Sequence, residues 1–143
     1  MSVMLNNTVG VKINDGTSDI DLSNHVSSVT LNRNFDELEV TAMGDTSHRF
    51  VKGLEASTVT VSFYNDTATN SVLQTLQKVW GTSTTMKLLQ VKDSAVSATN
   101  PLYSFSILVN KTTDINGAVG ELSTQDITFT INSATTVATT GTF

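Results

Sequence analysis

Asp45, Ser47 and His48 place the three side-chain types of a hydrolase triad in one short run, TAMGDTSHRF. A serine nucleophile needs an imidazole base and a carboxylate that converge on it from separate elements. Here the three crowd into four consecutive positions, so a solvated loop is expected and not acyl transfer. Asp15, Asp19 and Asp21 supply the hard oxygen ligands that calcium prefers. Their spacing does not fit an EF-hand loop, and no terminal glutamate completes one. His25 and His48 lie far apart, without partners at zinc-binding spacing. The eight glycines are scattered, no Gly-Lys-Ser/Thr run cradles a phosphate, and no cysteine is present. The expectation is a chain with no catalytic group, no metal and no cofactor.

The stretch that carries Asp45 and His48 has another character. From Asp36 to Asp66 it reads DELEVTAMGDTSHRFVKGLEASTVTVSFYND. Leu38, Val40 and Ala42 alternate with Glu37, Glu39 and Thr41, and Val59, Val61 and Phe63 alternate with polar residues. Period-two alternation predicts strands with one buried and one wet face. The connection between them, Met43 to Gly53, is long for a hairpin loop. It carries Asp45, His48, Arg49 and Lys52 around Phe50 and Val51, an apolar pair ringed by charge, as contact surfaces are built.

Composition bounds the rest. A chain of 143 residues fits one domain with one modest core. It uses 24 Thr and 16 Ser but a single Pro, which favours a mainly β domain. The net charge is −5 and Lys and Arg do not cluster, so the footprint of a nucleic-acid binder is absent. No signal peptide is evident and no apolar run approaches membrane-spanning length, so no membrane insertion is expected.

In chain order, Val9, Val11 and Ile13 predict a first strand, Asp15-Gly16-Thr17-Ser18 a turn, and DIDLSNHV an irregular connection. A strand over 26–34 should turn through Asn34-Phe35-Asp36 into a second over 37–43, the two forming a hairpin. Val72, Leu73, Leu76, Val79 and Trp80 predict an amphipathic helix of roughly fourteen residues. Asp66 or Thr69 would cap it, Gly81 would end it, and Trp80 would anchor it in the core. Three further strands follow: Met86–Val91, which shows little alternation, one opening after Asn100-Pro101, and one around Ile127, Phe129 and Ile131. Residues 112–120 form a loop with an Asn116-Gly117 turn. About seven strands and one helix imply two packed antiparallel sheets, or a flattened barrel, with the helix alongside. Residues 1–143 read as one domain, with an N-terminal arm over about 1–8 and a C-terminal arm over about 133–143. That last arm is uncharged and rich in Thr and Val, as edge-pairing arms are.

The ordered set of these motifs resembles a phage tail tube protein, the major tail protein of long-tailed phages. The carrying pieces are DLSNHVSSVTLNRNFDELEVTAMGD, GLEASTVTVSFYND before the helix, Asn100-Pro101-Leu102-Tyr103 opening a strand, and NGAVGEL before the last one. The resemblance spans roughly Asp21 to Ile131. It implies a fold shared with the type VI secretion tube protein, and hexameric rings of identical copies stacked into a hollow tube. It also implies a virion tail made in the host cytoplasm, with tape measure, tail terminator and distal tail proteins as partners. DNA would pass through without tight binding.

On this resemblance Asp45, His48, Arg49, Phe50, Val51 and Lys52 would bridge stacked rings, and the terminal arms would reach adjacent copies. Asn32, Asn34, Glu37 and Glu39, on the wet faces of the expected hairpin, would line either the lumen or the outer surface. The alternative is a small β-sandwich receptor- or glycan-binding tail module, which would need exposed aromatics over a groove.

Overall fold

A computed structural model describes residues 3, 5 and 7–143. The part of the N-terminal arm at positions 1, 2, 4 and 6 lies outside the described residues. The described chain forms ten strands and one α-helix: β1 (Gly10–Asn14), β2 (Asp19–Asp21), β3 (Val26–Asn32), β4 (Phe35–Glu39), β5 (Phe50–Glu55), β6 (Thr58–Tyr64), α1 (Val72–Lys78), β7 (Ser83–Leu89), β8 (Leu102–Leu108), β9 (Thr124–Ile131) and β10 (Thr136–Ala138). The protein is therefore mainly β. All strand pairs are antiparallel: the main sheet runs β2-β1-β7-β8-β9-β6-β3, β10 adds to β8, and β4 pairs only with β5.

The sheet closes over itself because β8 divides one of its edges. Ile107 and Leu108 pair with β9, while Leu102–Ser104 pair with β10. The rest of β9 turns away to pair with β6. The layer β9-β6-β3 thus peels off the layer β10-β8-β7-β1-β2, and one core fills the space between. Register puts Val11, Ile13, Met86, Phe105, Ile107, Ile127, Phe129, Val59, Val61 and Phe63 on the inner faces, and all are buried. Each such side chain contributes about 1.5–3 kcal/mol by leaving water.

Val72 and Leu76 of α1 join this core. The helix has seven residues, not fourteen. Asp66 accepts the Ala68 N–H and the Ser71 hydroxyl, and Asn70 adopts φ 56°, a left-handed conformation that no helix accommodates. Helical backbone starts only after that kink. Trp80 follows the last turn and stays 48% exposed, so it is not the core anchor expected. Gly81, at φ 76°, ends the segment and donates its N–H to Val109.

Three other expectations are corrected. DIDLSNHV is partly regular: Asp19–Asp21 pair with β1, and Ser23–His25 form a 3-10 turn. The strand expected over Met86–Val91 runs instead over Ser83–Leu89 and is internal, between β1 and β8. The third concerns the expected hairpin over 26–43, which does not form. β3 pairs instead with β6, Asn32 opposite Thr58, and residues 33–57 are the connection between them. That connection is itself the β4–β5 hairpin, and its strand Phe50–Glu55 takes in residues 50–53 of the loop expected over Met43 to Gly53.

Candidate interaction surface

The β4–β5 hairpin leaves the body at a fixed point. Asn34 N–H donates to Ser57 Oγ and Ala56 N–H to the Asn34 carbonyl, which close its base. Glu55 adds a second tie by accepting the Ser57 hydroxyl at 2.8 Å and the Thr135 N–H at 3.3 Å. These donors, Ser57 first and then Thr135, hold the Glu55 carboxyl below its ordinary pKa.

The tip is closed by one carboxylate. Asp45 Oδ2 accepts the Ala42 N–H at 2.7 Å and Arg49 Nε at 3.0 Å. Arg49 N–H donates to Thr41 Oγ1, and Val40 N–H to the Arg49 carbonyl. The loop proper is therefore 40–49, an ordered tip and not a slack connection.

Register sorts the hairpin into two faces. Leu38 lies opposite Val51, and Val40 follows on the same side; Leu38 is 53% and Val51 49% exposed. The other face carries Glu37 opposite Lys52 and Glu39 opposite Phe50. Lys52 Nζ stands 4.6 Å from the Phe35 ring centroid, and His48 Nδ1 3.4 Å from Glu39. All five residues of β4 are exposed, which contradicts the expected burial of Leu38, Val40 and Ala42 within the chain. A two-stranded hairpin is marginal in water without a packed face.

The site residues named from sequence are thus partly gathered. Asp45, Arg49 and the hairpin strands form one unit. Asn32 ends β3, on a different sheet from Glu37 and Glu39, and Asn34 lies in neither strand, at the hairpin base, because the hairpin that would have joined them is absent. The acidic face is also mixed, since Lys52 and His48 share it with Glu37 and Glu39.

Sequence reasoning missed two further features. The main sheet ends on one side in β2, three residues with Asp19 and Asp21, and on the other in β3, VSSVTLN, seven residues without a charge. Short charged edges resist strand addition, and long uncharged ones invite it. The second feature is the 112–122 loop, where Ile115, Val119 and Leu122 are exposed while buried Gln125 holds Thr113 N–H and Asn65 at the base.

The chemistry-bearing clusters have structural roles. Asp15, Asp19 and Asp21 each face a lysine: Lys78 at 3.3 Å, Lys87 at 2.9 Å and Lys92 at 3.1 Å. N–H donors from Ser18 and Thr17 hold the Asp15 carboxyl well below the carboxylate range, and a hydrogen bond from Lys87 lowers that of Asp19. Burial pushes Asp21 up, but Ser23 and Lys92 outweigh it. Asp45, Ser47 and His48 form no relay, because Asp45 is engaged by Arg49 and His48 by Glu39.

A second Ser-His-Asp group, unseen in the sequence, joins His25, Asp66 and Ser71. His25 Nε2 lies 2.8 Å from Asp66 Oδ2, and the Ser71 hydroxyl donates to the same oxygen at 2.8 Å. The imidazole nitrogen nearest Ser71 is the one committed to Asp66, and Ser71 is buried. This arrangement clasps the start of α1 to the 3-10 turn, while His25 Nδ1 is buried without a hydrogen-bond partner among the described residues. No helix of the described residues is long and apolar enough to cross a membrane.

What the geometry defines is an antiparallel β domain with a projecting, unburied hairpin. A solved structure titled as the virion of a native gene transfer agent (GTA) particle contains a chain with the same fold: TM-score 0.71, over 95% of this chain and 99% of that one, at 9% identity. No protein-family model and no curated protein matches the sequence.

Proposed function

We propose that this chain is a structural virion subunit, not an enzyme, and that within the virion it builds the tail tube. Copies join into rings, hexameric as the sequence resemblance implies, and the rings stack around a lumen that passes DNA. One observation carries the reading: an ordered hairpin whose apolar face, Leu38, Val40 and Val51, finds no cover among the described residues of its own chain. A neighbouring copy supplies that cover. The uncharged β3 edge supports it, as does the fold shared with a chain from a GTA virion.

Stacked rings would meet through Asp45, His48, Arg49, Phe50, Val51 and Lys52. Tape measure, terminator and distal tail proteins would cap and fill the tube. A conduit must not grip its cargo, and each lysine or arginine set against a phosphate adds salt-sensitive affinity. Six copies at −5 each give a ring about −30 formal charges, which keeps the duplex off the wall within about 8–10 Å at physiological salt. Glu37 and Glu39 are the proposed wall residues, with Asn32 and Asn34 nearer the ring's β3 contacts.

Electron microscopy of the purified protein tests this. Rings or tubes with a central hole are expected, with the hairpin between copies. Discrete monomers at every concentration would remove the tube reading.

A further inference from the structure

The C-terminal residues lie across the outer face of their own chain. β10 covers Leu102–Ser104 of β8, and the Ser133 hydroxyl accepts the Ser106 N–H at 2.9 Å. The chain then crosses to β1, where Phe143 is seated over Gly10. A Cβ added at Gly10 would stand 2.6 Å from Phe143 Cε1, so a larger residue there would have to displace the ring. Lys12 Nζ donates to the Phe143 carbonyl oxygen at 2.9 Å and lies 4.4 Å from the ring centroid. Thr135 at the other end is tied to Glu55 of the hairpin.

Beneath this strap lies a strand edge that no other strand among the described residues covers. β9 pairs with β8 only at Ile107 and Leu108. Without β10, Leu102–Ser104 would present bare N–H and C=O groups on a strand that has no charged residue of its own. β10 itself is three residues long, a ladder short enough to open locally at small cost.

We propose that the segment 133–143 is a guard strap: seated on Gly10 and Lys12, it keeps the β8 edge from pairing with a second copy of this chain. The occupant is a second copy because the edge already accepts a strand of this sequence in antiparallel register, and every copy carries one. This rests on the reading that copies associate through sheet edges, and it places a brake on that association before assembly begins.

Two variants open the strap by different routes. Gly10→Val pushes the Phe143 ring off while giving β1 a better strand former, and Phe143→Ala removes the ring. Amide hydrogen exchange at 102–104 and 136–138 reports opening, and sedimentation velocity reports association. The expected result is exchange at least about tenfold faster at those amides in both variants, with earlier onset of self-association than in the parent chain. Unchanged exchange shows that the Gly10–Phe143 seat does not hold the strap and overturns the proposal. Faster exchange with unchanged association overturns it as well. Tube formation by the parent chain is read separately, so failure of the strap leaves the tube reading standing on its own test.

Discussion

Two regions of this molecule share one sequence pattern and differ in what they do with it. In β6 and β9 every second residue points into the core, and Val59, Val61, Phe63, Ile127 and Phe129 are all buried. In β4 the same alternation continues through Leu38 and Val40, yet every residue of the strand is exposed. Alternation therefore declares a strand with an apolar face. It does not declare which chain covers that face. In the sandwich the cover is intramolecular; at the hairpin it is proposed to be another copy.

The largest effect should come from the sandwich. Phe129→Ala deletes a buried ring and is expected to cost about 3–5 kcal/mol of folding free energy, read from denaturant unfolding of the single chain. A loss as small as that of an exposed residue would mean that β9 is not part of a shared core.

Acid should also act on the sandwich. Asp15, Asp19 and Asp21 have folded pKa values below their unfolded ones. The stability they add is fully present above the unfolded value of about 3.9 and is lost as pH falls through the folded values. Unfolding midpoints should therefore drop between about pH 5 and pH 2. Asp15→Asn should flatten that slope more than Asp19→Asn, because Asp15 is lowered by several donors together. Equal slopes in the two variants would contradict this ranking.

The smallest effect on folding is expected at the hairpin. Val51→Glu should change single-chain stability by no more than about 0.5 kcal/mol, because the side chain is already wet. Arg49→Glu sets like charges at Asp45 and should loosen the 40–49 tip without unfolding the sandwich. Both variants should abolish ring stacking in electron micrographs. Normal tubes from both would take the hairpin out of the interface.

Much of this fold is legible in the sequence where apolar residues alternate without interruption. β6, β8 and β9 stand where Val59–Phe63, Tyr103–Ile107 and Ile127–Ile131 predict them. β5 was not legible because FVKGLE breaks alternation with Lys52 and Gly53, so its partnership with β4 stayed hidden. The helix reads too long because the left-handed kink at Asn70, which delays its start, leaves no mark in the apolar spacing, and because Val79 and Trp80 keep that spacing past its last residue, Lys78. The ion pairs of the three aspartates near the start of the chain are not legible in the sequence, because their lysine partners, Lys78, Lys87 and Lys92, lie far along the chain and meet them only in the folded structure. Which face of the hairpin each of Asp45, His48, Arg49, Phe50, Val51 and Lys52 occupies is not legible in the sequence, because it follows from the β4–β5 register, which sets Val51 beside Leu38 and puts Phe50 and Lys52 on the side of Glu39 and Glu37.

The claim that another copy covers the hairpin is met most directly by hydrogen exchange on free and assembled protein. Amides of Phe35–Glu39 and Phe50–Glu55 should exchange at least about ten times more slowly after assembly, while those of β6 and β9 stay as they were. Hairpin amides that exchange equally fast in both states would contradict the account.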